Sequence, residues 1–271
     1  MQTIHASSDA HHERISPMHR TPIRRFAILT SALILGAACA PADLATRLAD
    51  PHRAESDRAR DAGRKPAEVV GFLGIEPGMT VVDLIAAGGY YTEVLSLAVG
   101  PRGHVYAQNT RFTLEIRDGA NDAAMTARLA DGRLPNVERL DREIGDLGLA
   151  PNSIDAAVTA LNFHDIYNGR GPEAANGFLL AVKAILVPGG VLGIVDHAGG
   201  AGDDESLHRI DEALVVAAAE QAGFIVEATS DVLRNPDDDR ERNVFAEGLR
   251  GHTDRFVLRL RRPIDSAGDE S

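Results

Sequence analysis

Two short runs, Asn162-Phe163-His164-Asp165 and Asp196-His197, carry the most obvious chemistry in this chain. Two histidines and two aspartates at one cleft could act as a general acid/base set that deprotonates a substrate hydroxyl or amine. They could equally ligate a divalent metal, with His208 and Asp211 as extra ligands from the following segment. On a third reading they are structural: the aspartates cap helices or turns and the histidines satisfy buried carbonyls. A second informative stretch runs from Val81 to Thr92. Its apolar run ends in Asp83, passes through small residues and Gly88-Gly89, and then starts a new apolar period. That pattern reads as a buried strand turning tightly into a helix. Small side chains there let the backbone approach a ligand, and the helix start offers unpaired N–H groups.

The elements that position these residues alternate along the chain. The pattern predicts helices over 66–73, 91–98, 121–130, 173–186 and 211–222, and strands over 80–84, 104–107, 137–140, 154–160, 191–195, 224–228 and 255–260. Pro188-Gly189-Gly190 reads as a turn, Gly223 as a helix stop, and the polar stretch joining the last two strands as a long solvated loop around Arg234 and Asn235. Such alternation implies an α/β fold, a doubly wound and mostly parallel sheet with helices on both faces. Because each His/Asp run follows a strand, this topology places both runs at one carboxyl edge, over one crevice. Of Tyr90 and Tyr91, one is expected to pack into the core and the other to line the crevice.

The N-terminus reads as an address. Arg20, Arg24 and Arg25 precede an apolar run from Phe26 that ends in Gly36-Ala37-Ala38-Cys39. A basic region, an apolar stretch too short to span a bilayer and a small-residue zone together predict an export signal. Cys39, the single cysteine, sits where a lipoprotein signal would be processed, so periplasmic release and anchoring by the N-terminus are both expected outcomes. One cysteine allows no intrachain disulfide. A net charge of −12 argues against nucleic acid as a partner, and a small molecule is the expected substrate. Residues 1–40 form the extension and signal, 41–66 a helical tether, 67–263 the folded domain and 264–271 a polar tail.

Several motifs, in order, look like those of class I S-adenosylmethionine-dependent methyltransferases. They are Val81-Val82-Asp83-Leu84 with Gly88-Gly89, then Gly103 to Ala107, Gly145-Asp146-Leu147, Asn152 to Val158 and Leu186 to Gly190. Arg64-Lys65-Pro66, Asn162 to Asp165, Val195-Asp196-His197, Leu207 to Asp211, Leu233 to Pro236 and Thr253 to Phe256 further resemble a bacterial group of exported predicted methyltransferases. The resemblance implies a seven-stranded Rossmann-like sheet with a C-terminal antiparallel strand. It also implies S-adenosylmethionine as cofactor, held by Asp83, Ala87, Gly88, Gly89, Asn109, Asp146 and Asn162. Asp146 would meet the adenine amino group, and the end of the second strand the ribose. Methyl transfer to a small-molecule oxygen or nitrogen would then use His164, Asp165 and His197 as catalytic groups.

The chain departs from the pattern in three places. Ile85 and Ala87 stand where glycines are usual, which narrows the approach to a ligand. Gln108-Asn109 replaces the usual acid, so the ribose loses a charge-assisted bond. A non-catalytic envelope protein that keeps the fold, and a metal-assisted enzyme built on His164, Asp165, Asp196 and His197, are the alternatives.

Overall fold

The computed structural model describes residues 43–200 and 204–264; the expected export signal, Cys39 and all but the first residue of the expected tail lie outside them. Seven strands form one sheet in the order β3-β2-β1-β4-β5-β7-β6. They are β1 (Thr80–Leu84), β2 (His104–Asn109), β3 (Val137–Asp141), β4 (Ile154–Ala160), β5 (Leu186–His197), β6 (Ile225–Ser230) and β7 (Arg255–Arg261). Neighbours from β3 to β5 pair in parallel, whereas β7 runs antiparallel to both β5 and β6. The expected doubly wound sheet with an antiparallel C-terminal strand is therefore the observed one. Strands β1, β4 and β5 are apolar on both faces because helices cover both sides.

Helices α1 (Leu44–Leu48), α2 (Glu55–Arg64), α3 (Pro66–Leu73) and α4 (Tyr90–Val99) precede or follow β1, and α5 (Arg111–Leu129) follows β2. On one face of the sheet, Val69, Val70 and Leu73 of α3 pack with Val94 and Leu95 of α4. The other face carries α6 (Phe163–Arg170), α7 (Pro172–Ile185) and α9 (Glu212–Gln221), through Phe163, Phe178, Leu179, Val182, Val215 and Ala219. A single turn of helix, α8 (Asp204–Leu207), precedes α9. Among the described residues, no helix is long and apolar enough to cross a membrane.

Four sequence expectations need correction. Helix α6 was not foreseen, because Phe163–Arg170 has little apolar periodicity and owes its start to a distant residue described below. Strand β5 begins at Leu186, since Leu186 pairs with Ile154 before a register shift absorbs Pro188-Gly189-Gly190. Helix α5 starts ten residues early, with a kink at Ile116–Gly119 that hides its first half from a periodicity reading. The segment expected to be a tether is docked: buried Arg53 binds Asp61 at 2.6 Å, and buried Asp57 binds Arg128 of α5 at 2.7 Å.

The loop between β6 and β7 is likewise fastened rather than solvated. Fully buried Arg209 holds Asp238 through two bonds of 2.9 and 3.0 Å and donates to the carbonyls of Ala198 and Arg242. Asp238 also accepts the Asp254 N–H at 2.6 Å, and Arg234 pairs with Glu212 and Asp254. Removing one partner of a buried pair strands the other charge, a loss of about 3–5 kcal/mol. Asp238→Ala should therefore lower the unfolding free energy by several kcal/mol in urea titration and speed proteolysis within residues 231–254.

Candidate functional site

The carboxyl ends of β4 and β5 meet around Asp196, which is fully buried. Its carboxylate accepts the His164 N–H at 2.8 Å, His164 Nδ1 at 2.7 Å and the His197 N–H at 2.8 Å. The first of these bonds caps α6 near its N-terminus, where a negative charge also suits the helix dipole. Asn162, the local cap position, makes no capping bond; its Nδ2 donates instead to the carbonyls of Ala160 and Ile85, the latter at 3.3 Å. That bond ties the end of β4 to the turn after β1.

The two histidines expected to be neighbours are neighbours, with ring centroids 5.8 Å apart. Their electrostatics differ. Burial alone would depress His164, but Asp196 and then Asp165 outweigh it and push the imidazole up to about 10. Burial acts on His197 against the pull of Asp196 and with the repulsion of His164, Arg255 and Arg209, taking it down to about 3. His197 Nδ1 lies 2.8 Å from Thr253 Oγ1. Both ring nitrogens of His164 face carboxylate oxygens, Asp196 at 2.7 Å and Asp165 at 3.2 Å, so the expectation that His164 acts as a base is withdrawn in favour of a positioning role.

Asp165 is exposed and also meets His208 Nδ1 at 3.0 Å; burial opposes its ionisation, but His164 and His208 hold it below the usual carboxylate range. His208, offered by sequence only as an extra ligand, thus belongs to the site, and Phe245 packs on its ring at 5.1 Å. Asp211 does not: it caps α9 by accepting the Ala213 N–H at 2.9 Å.

Across the crevice, the turn after β1 keeps a left-handed path without the usual glycines. Ile85 has φ +55° and Ala87 φ +50°, each costing about 1–2 kcal/mol relative to a glycine. Two amides clamp this path. Gln108 Oε1 accepts the Ile85 N–H at 2.9 Å, and Asn109 Oδ1 accepts the Ala87 N–H at 2.8 Å while its Nδ2 returns to the Ala87 carbonyl at 3.2 Å. The retained glycine, Gly89, has φ +83°, and a Cβ there would come within 3.0 Å of Met125 and Arg128 of α5. Gly88 faces Ala124 as closely.

Two expected cofactor contacts are therefore already engaged within the protein. Asn109 is buried and spent on Ala87, so it supports the turn instead of reaching a ribose. Asp83 is buried too: burial pushes it up to about 7 despite the bond from Thr92 Oγ1 at 2.6 Å, and it caps α4 rather than facing the crevice. Tyr90 bonds Asp61 at 2.6 Å, and Tyr91 packs edge-on against it; both rings are buried. Asp146 lies exposed after β3, 3.7 Å from Arg142, where it is free to meet a ligand.

No family model matches the chain, and no curated protein does. Among solved structures, a methyltransferase dependent on S-adenosylmethionine, from Aquifex aeolicus, is similar at 22% identity and TM-score 0.56, over 80% of this chain and 95% of that one. The chain has the class I methyltransferase fold. At the same TM-score the [4+2]-cyclase SpnF aligns at 15% identity over 82% of this chain and 93% of its own. A "possible exported protein" from Bordetella parapertussis aligns at 14% identity and TM-score 0.50, over 76% and 68%. Within this fold, the Gly88-Gly89 turn follows β1, and the histidines follow β4 and end β5.

Two measurements check these placements. Asn109→Ala should cost about 2 kcal/mol of stability in urea unfolding, because two bonds to one residue of a strained turn disappear. For Asp83, the folded carboxyl holds its proton to higher pH than the unfolded one. Stability therefore falls as pH rises from about 4 to about 7 and levels off above that. Asp83→Asn should remove this component from the dependence of Tm on pH.

Proposed function

We propose that the chain binds S-adenosylmethionine across the carboxyl ends of β1 and β4 and is an exported methyltransferase for an oxygen or nitrogen atom of a small molecule. The observation that carries this is the join between the two halves of the crevice. Asn162 bonds Ile85 of the turn, two residues before His164, so the cofactor end and the histidine end are held together as one rigid edge.

The residues present fit the cofactor. The Gly88 N–H at the start of α4 keeps no partner among the described residues, which suits a close polar ligand. The backbone at Ile85 and Ala87 follows the left-handed path that glycines would take. Arg64 stacks on Tyr90 at 4.3 Å and has no carboxylate partner among the described residues; burial lowers its pKa, with Arg60 adding repulsion. An uncompensated guanidinium in such a place invites a carboxylate, and the amino-acid end of the cofactor carries one.

When bound, the cofactor supplies an electrophilic methyl group. Arg64 holds the carboxylate, Asp146 accepts from the adenine amino group, and Asp196 fixes the edge on which the acceptor lies. His197, kept neutral by burial, positions the acceptor, whose proton passes to solvent. Most of the rate comes from positioning. Support for export is the basic and apolar pattern that ends at Cys39.

Calorimetry of the purified chain with S-adenosylhomocysteine tests this. Saturable binding in the micromolar range is expected, weakened tenfold or more in Arg64→Met by loss of a charged bond worth about 1.5–3 kcal/mol. A folded chain that takes up neither S-adenosylhomocysteine nor S-adenosylmethionine overturns the proposal and leaves a non-catalytic envelope protein that keeps the fold.

A further inference from the structure

At the acceptor end of the crevice three side chains converge. His164 Nε2 lies 3.2 Å from Asp165 Oδ1, and His208 Nδ1 lies 3.0 Å from the same oxygen. One ligand atom from each residue stands within 4.8 Å of the other two. Nitrogen and oxygen ligands sit about 2.0–2.2 Å from zinc, so two that share an ion are separated by about 3.0–3.5 Å. Both close separations fall in that range.

The surroundings match those of a ligated imidazole. A histidine that holds a metal nearly always gives its second ring nitrogen to a carboxylate or carbonyl, which fixes the ring and its tautomer. His164 Nδ1 does this with Asp196 at 2.7 Å, and Nε2 is thereby aimed at Asp165 and His208. Asp196 is fully buried and bound by two backbone N–H groups as well, so it orients and does not ligate. His208 is held in place by its neighbours: its backbone is left-handed at φ +55°, the next residue is the buried Arg209, and Phe245 packs against its ring.

We propose that His164 Nε2, His208 Nδ1 and a carboxylate oxygen of Asp165 form a site for one divalent transition-metal ion. Two imidazoles and one carboxylate suit zinc, cobalt(II), iron(II) or manganese(II), and exclude the all-oxygen shells that calcium and magnesium prefer. Asp165 is exposed and His208 partly so, which leaves the remaining coordination positions open to water or to an oxygen or nitrogen donor of a substrate. The set differs from both sequence groupings. The ligand atoms that come within 4.8 Å of one another do not include any of His197, and Asp211 caps α9. Metal binding here stands apart from the methyl-transfer reading, since it is measured without cofactor or acceptor.

The test uses the full chain, freed of any affinity tag and treated with chelator, then titrated with cobalt(II) under visible absorption and displaced by zinc. The N-terminal segment carries His5, His11, His12 and His19, so affinity is compared between the native chain and His208→Ala and Asp165→Asn. Both substituted side chains are at least partly exposed, and Tm confirms that each variant folds. One equivalent of cobalt(II) with a ligand-field spectrum, bound at least tenfold more weakly by both variants, is the expected result. No ligand-field absorption in the native chain, or the same affinity and stoichiometry in the variants, overturns the proposal.

Discussion

Everything at the carboxyl edge depends on one buried carboxylate. Asp196 ends β5, and three hydrogen bonds converge on it: two from His164 and one from the His197 backbone. An isolated charge in such a place would be expensive to bury. Three donors and the positive end of α6 offset that cost, and in doing so they fix where α6 begins, which way His164 points and how β4 and β5 terminate. Asp83 plays a parallel part at the end of β1, where it receives Thr92 in the first turn of α4. The two carboxylates face different balances. Asp83 has one side-chain hydroxyl and a helix end, and burial pushes it up to about 7, whereas Asp196 has an imidazole bonded directly to it.

Near these two anchors the backbone takes left-handed turns: Ile85 and Ala87 follow β1, Leu161 follows β4 and His208 precedes α9, all with positive φ. A branched side chain in the left-handed region is uncommon, because Cβ crowds the backbone there. Gln108 and Asn109 show how the first two are held. Their amides replace an acid that the resemblance would have placed near a ribose, and they spend their hydrogen bonds on the turn itself. The non-glycine turn and the amides at the end of β2 are thus physically linked in this chain. A stiffer turn needs a clamp, and the neighbouring strand supplies it.

This coupling also explains what the sequence could and could not disclose. Strands β1 and β4 are continuous apolar runs between turn residues, and helix α3 lies between Pro66 and Gly74, so their limits could be read directly. The order of the motifs gave the sheet. Helix α6 was hidden because its cap is Asp196, which lies 32 residues downstream. Asn109 was misplaced for a similar reason: residue type suggests a ligand contact, but only the fold shows that the amide is already paired with Ala87. The polar stretch after β6 resembled a solvated loop in composition, yet Arg209 and Asp238 bury each other within it. In each case a polar residue found its partner far along the chain, and local patterning holds no record of such pairs.

The crevice is therefore assembled from two halves with separate supports. The turn after β1 is clamped from β2, and the histidine end is built from Asp196, α6 and the fastened loop before β7. Asn162 is the bond between them. The two halves have different internal supports, and a shared fold leaves the reaction open. The histidine end carries a polar cluster of its own, in which Asp165 meets both His164 and His208.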